Sequence, residues 1–249
     1  MQKILNIVIP MAGRGSRFAN VGYSDPKPLI PVGGRPMIQW VIDNITPSCP
    51  HRFYFICLAE HLQRYPEVSV KLKEFCPGAE IIALNEVTEG AACTVLLARE
   101  YIDSEAPLMI ANSDQIVELS IDSYLEKMEE PDVSGLIMTF WSSNPKWSFC
   151  RMREDESVAE VVEKKVISNE ATVGIYNFAR GCDFIKAADQ MIKRNLRVNG
   201  EFYVAPCYNQ IIEEGGKVVV FRMGEERKGM YGLGTPEDLE FFKQEKGIT

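Results

Sequence analysis

Histidine is scarce in this chain: His51 and His61 are the only two in 249 residues, and neither stands beside a cysteine. A zinc site built from His and Cys ligands therefore has little to draw on. The seven cysteines, at positions 49, 57, 76, 93, 150, 182 and 207, form no Cys-x-x-Cys pair. An odd, scattered set of this kind points to reduced thiols in a cytoplasm rather than to a disulfide framework. No apolar run approaches the roughly 20 residues that a membrane span needs. The opening Met1-Gln-Lys-Ile-Leu5 lacks signal-peptide anatomy, because the apolar run 4–9 leads straight into a glycine loop. Repeats, linkers and low-complexity segments are also missing, so a single domain over residues 1–249 is expected. Excess positive charge is lacking too. The formal net charge of -8 argues against a general nucleic-acid binder, although a local basic pocket fits within an acidic whole. Neither nucleic acid nor membrane is expected as a partner, and a homo-oligomer stays open. Hydrophobic residues at 46% leave room for a sizeable core.

What is present is an alternation of apolar runs with helical patterns. Ile4–Pro10 reads as a buried strand, Arg52–Leu58 and Ile81–Leu84 as the next two, and Pro107–Ala111 as a fourth. Between them Met37, Ile38, Val41, Ile42 and Ile45 make one helical face behind Pro36, which suits a first helical turn. Gly90–Tyr101 reads as a helix with Ala92, Val95, Leu96 and Ala98 inward. Strand–helix alternation predicts an α/β fold, a mostly parallel sheet with helices on both faces. The second half is more mixed: strands over 133–141, 149–152, 159–163, 171–178 and 217–222, partly antiparallel, and helices over 182–193, 203–214 and 236–244. The acidic cluster Arg153–Ser157 reads as a solvated hairpin tip.

The chemistry concentrates where strands end. In such sheets ligands sit at the carboxyl ends of strands. The first strand runs into Met11-Ala12-Gly13-Arg14-Gly15-Ser16-Arg17-Phe18, and Pro26-Lys27-Pro28-Leu29 follows about ten residues later. Glycines let backbone N–H groups approach phosphate oxygens closely, and Arg14, Arg17 and Lys27 supply charge-assisted donors. This is how a fold holds a polyphosphate. The loop is no Walker A loop, and a Rossmann fingerprint needs a third glycine where Phe18 stands. Asp114 follows the apolar strand Leu108–Ala111, which places a carboxylate in the same crevice. Mg²⁺ takes hard oxygen ligands, commonly one or two carboxylates plus phosphate oxygens. A turn-capping aspartate fits the same position.

The two-part signature resembles that of the sugar-1-phosphate nucleotidylyltransferase superfamily, roughly Leu-Ala-Gly-Gly-x-Gly-Thr-Arg-Leu followed by Pro-Lys-Pro-Leu. The resemblance runs from about residue 5 to 240 and implies a three-layer Rossmann-like nucleotidyltransferase fold. It implies an enzyme that joins an NTP to a sugar 1-phosphate or related phosphorylated metabolite and releases pyrophosphate. By the same resemblance, Met11, Ala12, Gly13, Arg14, Gly15, Ser16 and Arg17 hold the triphosphate. Arg17 and Lys27 are the catalytic cations, Lys27 also meets the acceptor phosphate, and Asp114 holds Mg²⁺. Asn85, Gly90 and Ala91 correspond to a family segment that meets the nucleobase, with Asn85 in place of a glutamine. A plain strand-to-helix turn with Gly90 near the helix N-terminus is the alternative that needs no ligand. Glu163 and Lys164, followed by Thr172 and Gly174, correspond to the acceptor pocket, where a charged β-hairpin is the simpler alternative. The usual proline after that Glu-Lys is Lys165 here. Glu201 falls where relatives have Gly-Glu entering a helix.

The largest departure lies in Met230-Tyr231-Gly232-Leu233-Gly234-Thr235-Pro236. Relatives carry a second metal-binding aspartate where Gly232 stands. Either one carboxylate suffices, with phosphate oxygens and waters completing the shell, or another acid such as Glu201 moves in. Asp238 is expected on the closing helix. The loop variant and the short length resemble relatives encoded with bacterial capsule or lipopolysaccharide genes. Two other classes stay open. A glycosyltransferase of related fold would show Asp-x-Asp, but Asn112-Ser113-Asp114 supplies one aspartate. A regulatory nucleotide-binding protein is favoured only by the glycine at 232.

Overall fold

A computed structural model of the chain describes residues 3–248; Met1 and Gln2, at the end expected to lack a signal peptide, and Thr249 lie outside the described residues. The strands are β1 (Leu5–Met11), β2 (Pro31–Val32), β3 (Arg35–Pro36), β4 (His51–Leu58), β5 (Glu80–Leu84), β6 (Leu108–Ala111) and β7 (Gln115–Val117). They continue as β8 (Val133–Trp141), β9 (Ser148–Met152), β10 (Val158–Glu163), β11 (Glu170–Phe178), β12 (Lys217–Glu226) and β13 (Gly229–Gly232). All but β2 and β3 join one sheet in the order β5-β4-β1-β6-β11-β8-β12-β13-β7, with β9 and β10 forming a hairpin against β11. Most steps along this path are parallel; β11 runs antiparallel to both β6 and β8, and β7 antiparallel to β13.

Period-two alternation sorts each strand between two cores. In β1, Ile7, Ile9 and Met11 enter one cluster while Val8 enters the other. In β4, Phe53, Phe55 and Cys57 face one way, and Tyr54, Ile56 and Leu58 the other. The helix Met37–Ile45 covers one face through Ile38, Val41, Ile42 and Ile45. The helix Gly181–Lys193 covers the opposite face through Phe184, Ile185, Ala188 and Met191. Both faces are thus helix-covered, the three-layer arrangement expected. A third cluster gathers Phe18, Ile30, Met37, Leu233, Leu239 and Phe242. It ties the glycine loop to the closing helix Pro236–Lys246, whose N-cap Thr235 accepts from the Asp238 amide.

Several elements depart from expectation. Two helices, Ala59–Arg64 and Glu67–Phe75, follow β4 where none was predicted. The helix expected over 90–101 divides into Ala91–Val95, a 3₁₀ turn Leu96–Ala98 and Arg99–Ile102. The helix expected from Tyr203 begins with a 3₁₀ turn at Ala205 and is α-helical only over Tyr208–Glu213, because Pro206 supplies no N–H. The tip at 153–157 does turn the β9–β10 hairpin, with Asp155 accepting from the Ser157 amide and hydroxyl.

Candidate active site

Two clefts open along the strand ends. The first, about 360 Å³, is lined by Met11, Gly13, Gly15, Ser16, Arg17, Lys27, Asn112, Ser113, Asp114 and Gly234, among others. β1 delivers the loop, and Gly15, left-handed at φ 64°, turns it into the short helix Ser16–Ala19. Phe18 is buried at 2% exposure and packs edge-on against Tyr23, so the side chain that replaces a third glycine anchors the loop in the core. At Gly13 an added Cβ would meet nothing within 4 Å, and the backbone there is not left-handed. Neither packing nor backbone geometry demands glycine at that position.

Lys27 heads the 3₁₀ turn Lys27–Leu29, and its Nζ lies 2.5 Å from Asp114 Oδ2. Asp114 sits just past β6, as expected, and its carbonyl accepts from the Leu233 amide at 2.6 Å. This bond draws the 232–234 segment over it. A Cβ on Gly234 would stand 2.7 Å from Asp114 Oδ2, so a larger residue there would displace the Asp114 carboxylate. The acid nearest Gly232 is Asp238, whose Oδ2 would lie 3.9 Å from an added Cβ. Asp238 is committed elsewhere: it accepts from Thr235 Oγ1 and pairs with Arg227 at 3.0 Å. The expected position of Asp238 on the closing helix holds, and Glu201 is not the acid that approaches Gly232. Among the described residues no group of three or more His, Cys, Asp or Glu side chains could hold a metal.

The second cleft, about 270 Å³, lies beyond Asn112, which lines both. Glu163, Lys164, Thr172, Gly174 and Ala91 line it, together with Gln115, Trp147, Ser148, Tyr176 and Tyr203. Glu163 ends β10 almost fully buried and accepts from Ser148 Oγ. Burial pushes its carboxyl above the ordinary range, against the opposing pull of Ser148 and Lys164, and Glu201 adds to the rise. Lys164, left-handed at φ 53°, turns out of the hairpin and lays its ammonium 4.5 Å over the Tyr203 ring. Its Nζ also donates to the Tyr203 hydroxyl. Burial, then Glu201, raises that phenol. Thr172 Oγ1 and the Tyr176 hydroxyl are 2.9 Å apart.

Gly174 explains how the clefts meet. The β11–β8 register shifts between Thr172 and Tyr176, and Gly174 stands in that irregularity at φ 99°. A Cβ there would lie 2.2 Å from both Asn112 Nδ2 and Gln115 Oε1. Its absence leaves room for the 3.0 Å hydrogen bond from Asn112, which lines both clefts, to Gln115, which lines the second. Bulges re-aim side chains in this way beside functional sites.

Other candidates fall away from the clefts. Arg14 is exposed on the loop, and Ala12 is buried beneath it, outside the first cleft's lining. Asn85 is exposed and lines neither cleft. Gly90 is explained by packing: its φ is 135°, and a Cβ would strike the Phe202 carbonyl at 2.3 Å. The Phe202 amide and carbonyl pair with Glu89 and Ala92 at that point. Glu201 does not enter a helix; it closes a tight turn against Val198 and is not among the residues that line the second cleft. The sequence reading assigned no role to Asn112, Gln115, Trp147 or Tyr203, although Asn112 and Gln115 flank Asp114 in its motif and Tyr203 closes the segment that holds Glu201.

Among the described residues no helix is long and apolar enough to cross a membrane. A family profile described as Nucleotidyl transferase matches residues 7–203. The chain is 27% identical over 243 residues to the bifunctional protein GlmU of Methanococcus maripaludis, covering 94% of this chain and 53% of that one. It thus spans about half the length of the GlmU relatives it matches. The UTP–glucose-1-phosphate uridylyltransferase AglF of Haloferax volcanii is 21% identical, with 96% of each chain covered. Among solved structures, a nucleoside-diphosphate-sugar pyrophosphorylase from Vibrio cholerae RC9 superposes with a TM-score of 0.81 at 25% identity, covering 96% of this chain and 100% of that one. With the profile spanning β1 through the second cleft, the chain belongs to the nucleotidyl transferase family.

Proposed function

We propose that this chain is a nucleotidylyltransferase that transfers NMP from an NTP to a sugar 1-phosphate or a related phosphorylated metabolite and releases pyrophosphate. The observation that carries this reading is the pair of clefts sharing Asn112, one flanked by Arg17, Lys27 and Asp114, the other by Glu163 and Lys164. The names of AglF and the Vibrio cholerae pyrophosphorylase point to the same chemistry.

In this reading loop 11–17 holds the triphosphate in the first cleft. The acceptor's phosphate oxygen attacks the α-phosphorus in line, and pyrophosphate leaves. Such chemistry needs positioning and charge neutralisation more than an acid or a base. Arg17 meets charge that develops on the leaving pyrophosphate. Lys27 bridges the attacking phosphate and the α-phosphate. Glu163 accepts from hydroxyls of the acceptor, and Lys164 meets its phosphate side. Thr172 and Gly174 form the wall, and Glu201 is assigned to the acceptor side on the family resemblance alone. Asn85, Gly90 and Ala91 remain the proposed base-side segment on the family resemblance alone, since none of the three lines the first cleft and Ala91 lines the second.

The residues present fit Mg²⁺ with one carboxylate. Asp114 offers a hard oxygen in the cleft, and Asn112 and Ser113 flank it. Magnesium readily completes its shell with phosphate oxygens and waters. When bound it would neutralise charge on the α-phosphate. We place the chain, as one domain, in bacterial surface polysaccharide precursor synthesis in the cytoplasm, on the strength of the loop variant. The test is a pyrophosphate-release screen of four NTPs against a panel of sugar 1-phosphates and other phosphorylated metabolites. Release that requires one NTP and one acceptor is expected. No release across the panel with Mg²⁺ present overturns the proposal.

A further inference from the structure

We infer that Lys27 and a divalent cation compete for the same oxygen of Asp114, so that metal enters this site with nucleotide rather than ahead of it. The inference rests on the nucleotidylyl-transfer reading and concerns how its site is loaded. Lys27 Nζ stands 2.5 Å from Asp114 Oδ2, and each side chain is 21% exposed. The same oxygen faces Gly234 on another side. Gly234 backs it so closely that a Cβ would be 2.7 Å away, and the Asp114 carbonyl is tied to the Leu233 amide.

The Lys27 backbone is confined, while its flexible four-carbon stem lets the ammonium turn. It lies between Pro26 and Pro28, in a turn closed by the Leu29 amide on the Pro26 carbonyl at 2.8 Å. A Cβ on Gly15 would come within 3.3 Å of Lys27 Cβ, so the glycine loop runs beside the base of the lysine stem. A metal at Oδ2 would face an ammonium at contact distance, and Asp114 is the one carboxylate among the described residues that line the cleft. Arg17, on the same cleft, has no hydrogen-bond or ion-pair partner among the described residues and adds to the positive field.

A polyphosphate reverses this balance. It offers Lys27 a more highly charged anion and brings its own oxygens to the cation. Lys27 then turns from Asp114 to phosphate, and the freed carboxylate takes the metal. The lysine thus serves as an internal counter-ion that keeps Asp114 occupied until nucleotide arrives.

The test titrates Mn²⁺ into the free protein and follows loss of the aquo-ion signal by electron paramagnetic resonance. Wild type is expected to bind weakly, and a non-hydrolysable NTP analogue should tighten binding. Lys27→Met should bind Mn²⁺ without nucleotide roughly ten-fold or more tightly than wild type, since one competing positive charge is gone. Lys27→Gln, which keeps a polar side chain, should do the same. Asp114→Asn in either background should abolish the gain. Thermal melts establish that each variant is folded. Equal or weaker Mn²⁺ binding by both folded Lys27 variants overturns the inference, as does a gain that survives Asp114→Asn. Pyrophosphate release by wild type is measured separately, so failure of the activity reading is not confused with failure of the competition.

Discussion

Arg14 and Arg17 stand on a loop with no hydrogen-bond or ion-pair partner among the described residues, beside a lysine whose partner is a single carboxylate. In the second cleft the charges are already engaged: Glu163 by Ser148, Lys164 by Tyr203, and Lys146 by Glu226 at 2.8 Å. The first cleft is a loop carrying unspent positive charge, suited to a flexible anion. The second is built on sheet side chains that hold one another in place, suited to a ligand sorted by shape and hydroxyl pattern. The difference is physical. Phosphate recognition needs charge and backbone donors, which a glycine loop provides. Discrimination among hydroxyl groups needs fixed partners that would be left unpaired by the wrong ligand.

Substitutions can separate the two roles. The largest effect is expected at Arg17. Removing one cation that meets developing charge costs about 10²–10³ in kcat. Arg17→Ala should show that loss with an unchanged melting curve, and a folded variant with near-normal turnover would remove Arg17 from its role. Gly174→Ala should disturb both clefts together. It forces a left-handed backbone at φ 99° onto alanine and breaks the Asn112–Gln115 hydrogen bond. A loss of about 1–3 kcal/mol in urea-unfolding free energy is expected, with KM for both substrates raised. A change in one KM alone would mean that this bond does not serve both clefts.

Glu163→Gln should act on the second cleft alone, raising KM for the acceptor about ten-fold, the scale of one charge-assisted hydrogen bond, while KM for NTP stays put. Its stability has a pH signature. Burial raises the carboxyl above its ordinary value near 4.5, so the folded chain holds the proton more firmly than the unfolded chain. That contribution is fully present below the unfolded value and is lost as pH rises through the folded one. Glu163→Gln should flatten this slope in urea titrations taken from acid toward neutral pH. The smallest effect is expected at Thr235, the cap of the closing helix behind Asp114. Thr235→Ala should cost about 1 kcal/mol of stability, read from chemical denaturation, and leave KM for the acceptor unchanged.

The legible parts of this chain are those where one local rule decides. β1, β4, β6 and β11 are buried on both faces, so their apolar runs are nearly continuous and stand out. The glycine loop at the end of β1 was visible because its glycines and cations are adjacent in sequence. The helix Glu67–Phe75 was not, because only Val68 and Leu72 of its nine residues are buried. The 3₁₀ turn at Leu96–Ala98 interrupts its helix without proline or glycine to announce it. Gly90 and Gly174 show the limit most clearly. Both were read as ligand-facing, yet each also answers to a close approach, of Phe202 in one case and of Asn112 with Gln115 in the other, that links residues distant in sequence. Trp147 and Tyr203 enter the second cleft only through folding of the hairpin and of the segment after Gly200, and no local pattern marks them.

The division between the clefts is tested most directly by two-substrate steady-state kinetics of wild type, Arg17→Lys and Glu163→Gln, with pyrophosphate release as the readout. Arg17→Lys, which keeps charge but loses the planar fork, should lower kcat and alter KM for NTP while KM for the acceptor holds. Glu163→Gln should raise KM for the acceptor and leave KM for NTP unchanged. The opposite assignment, or both variants shifting both constants alike, would contradict a nucleotide cleft and an acceptor cleft meeting at Asn112.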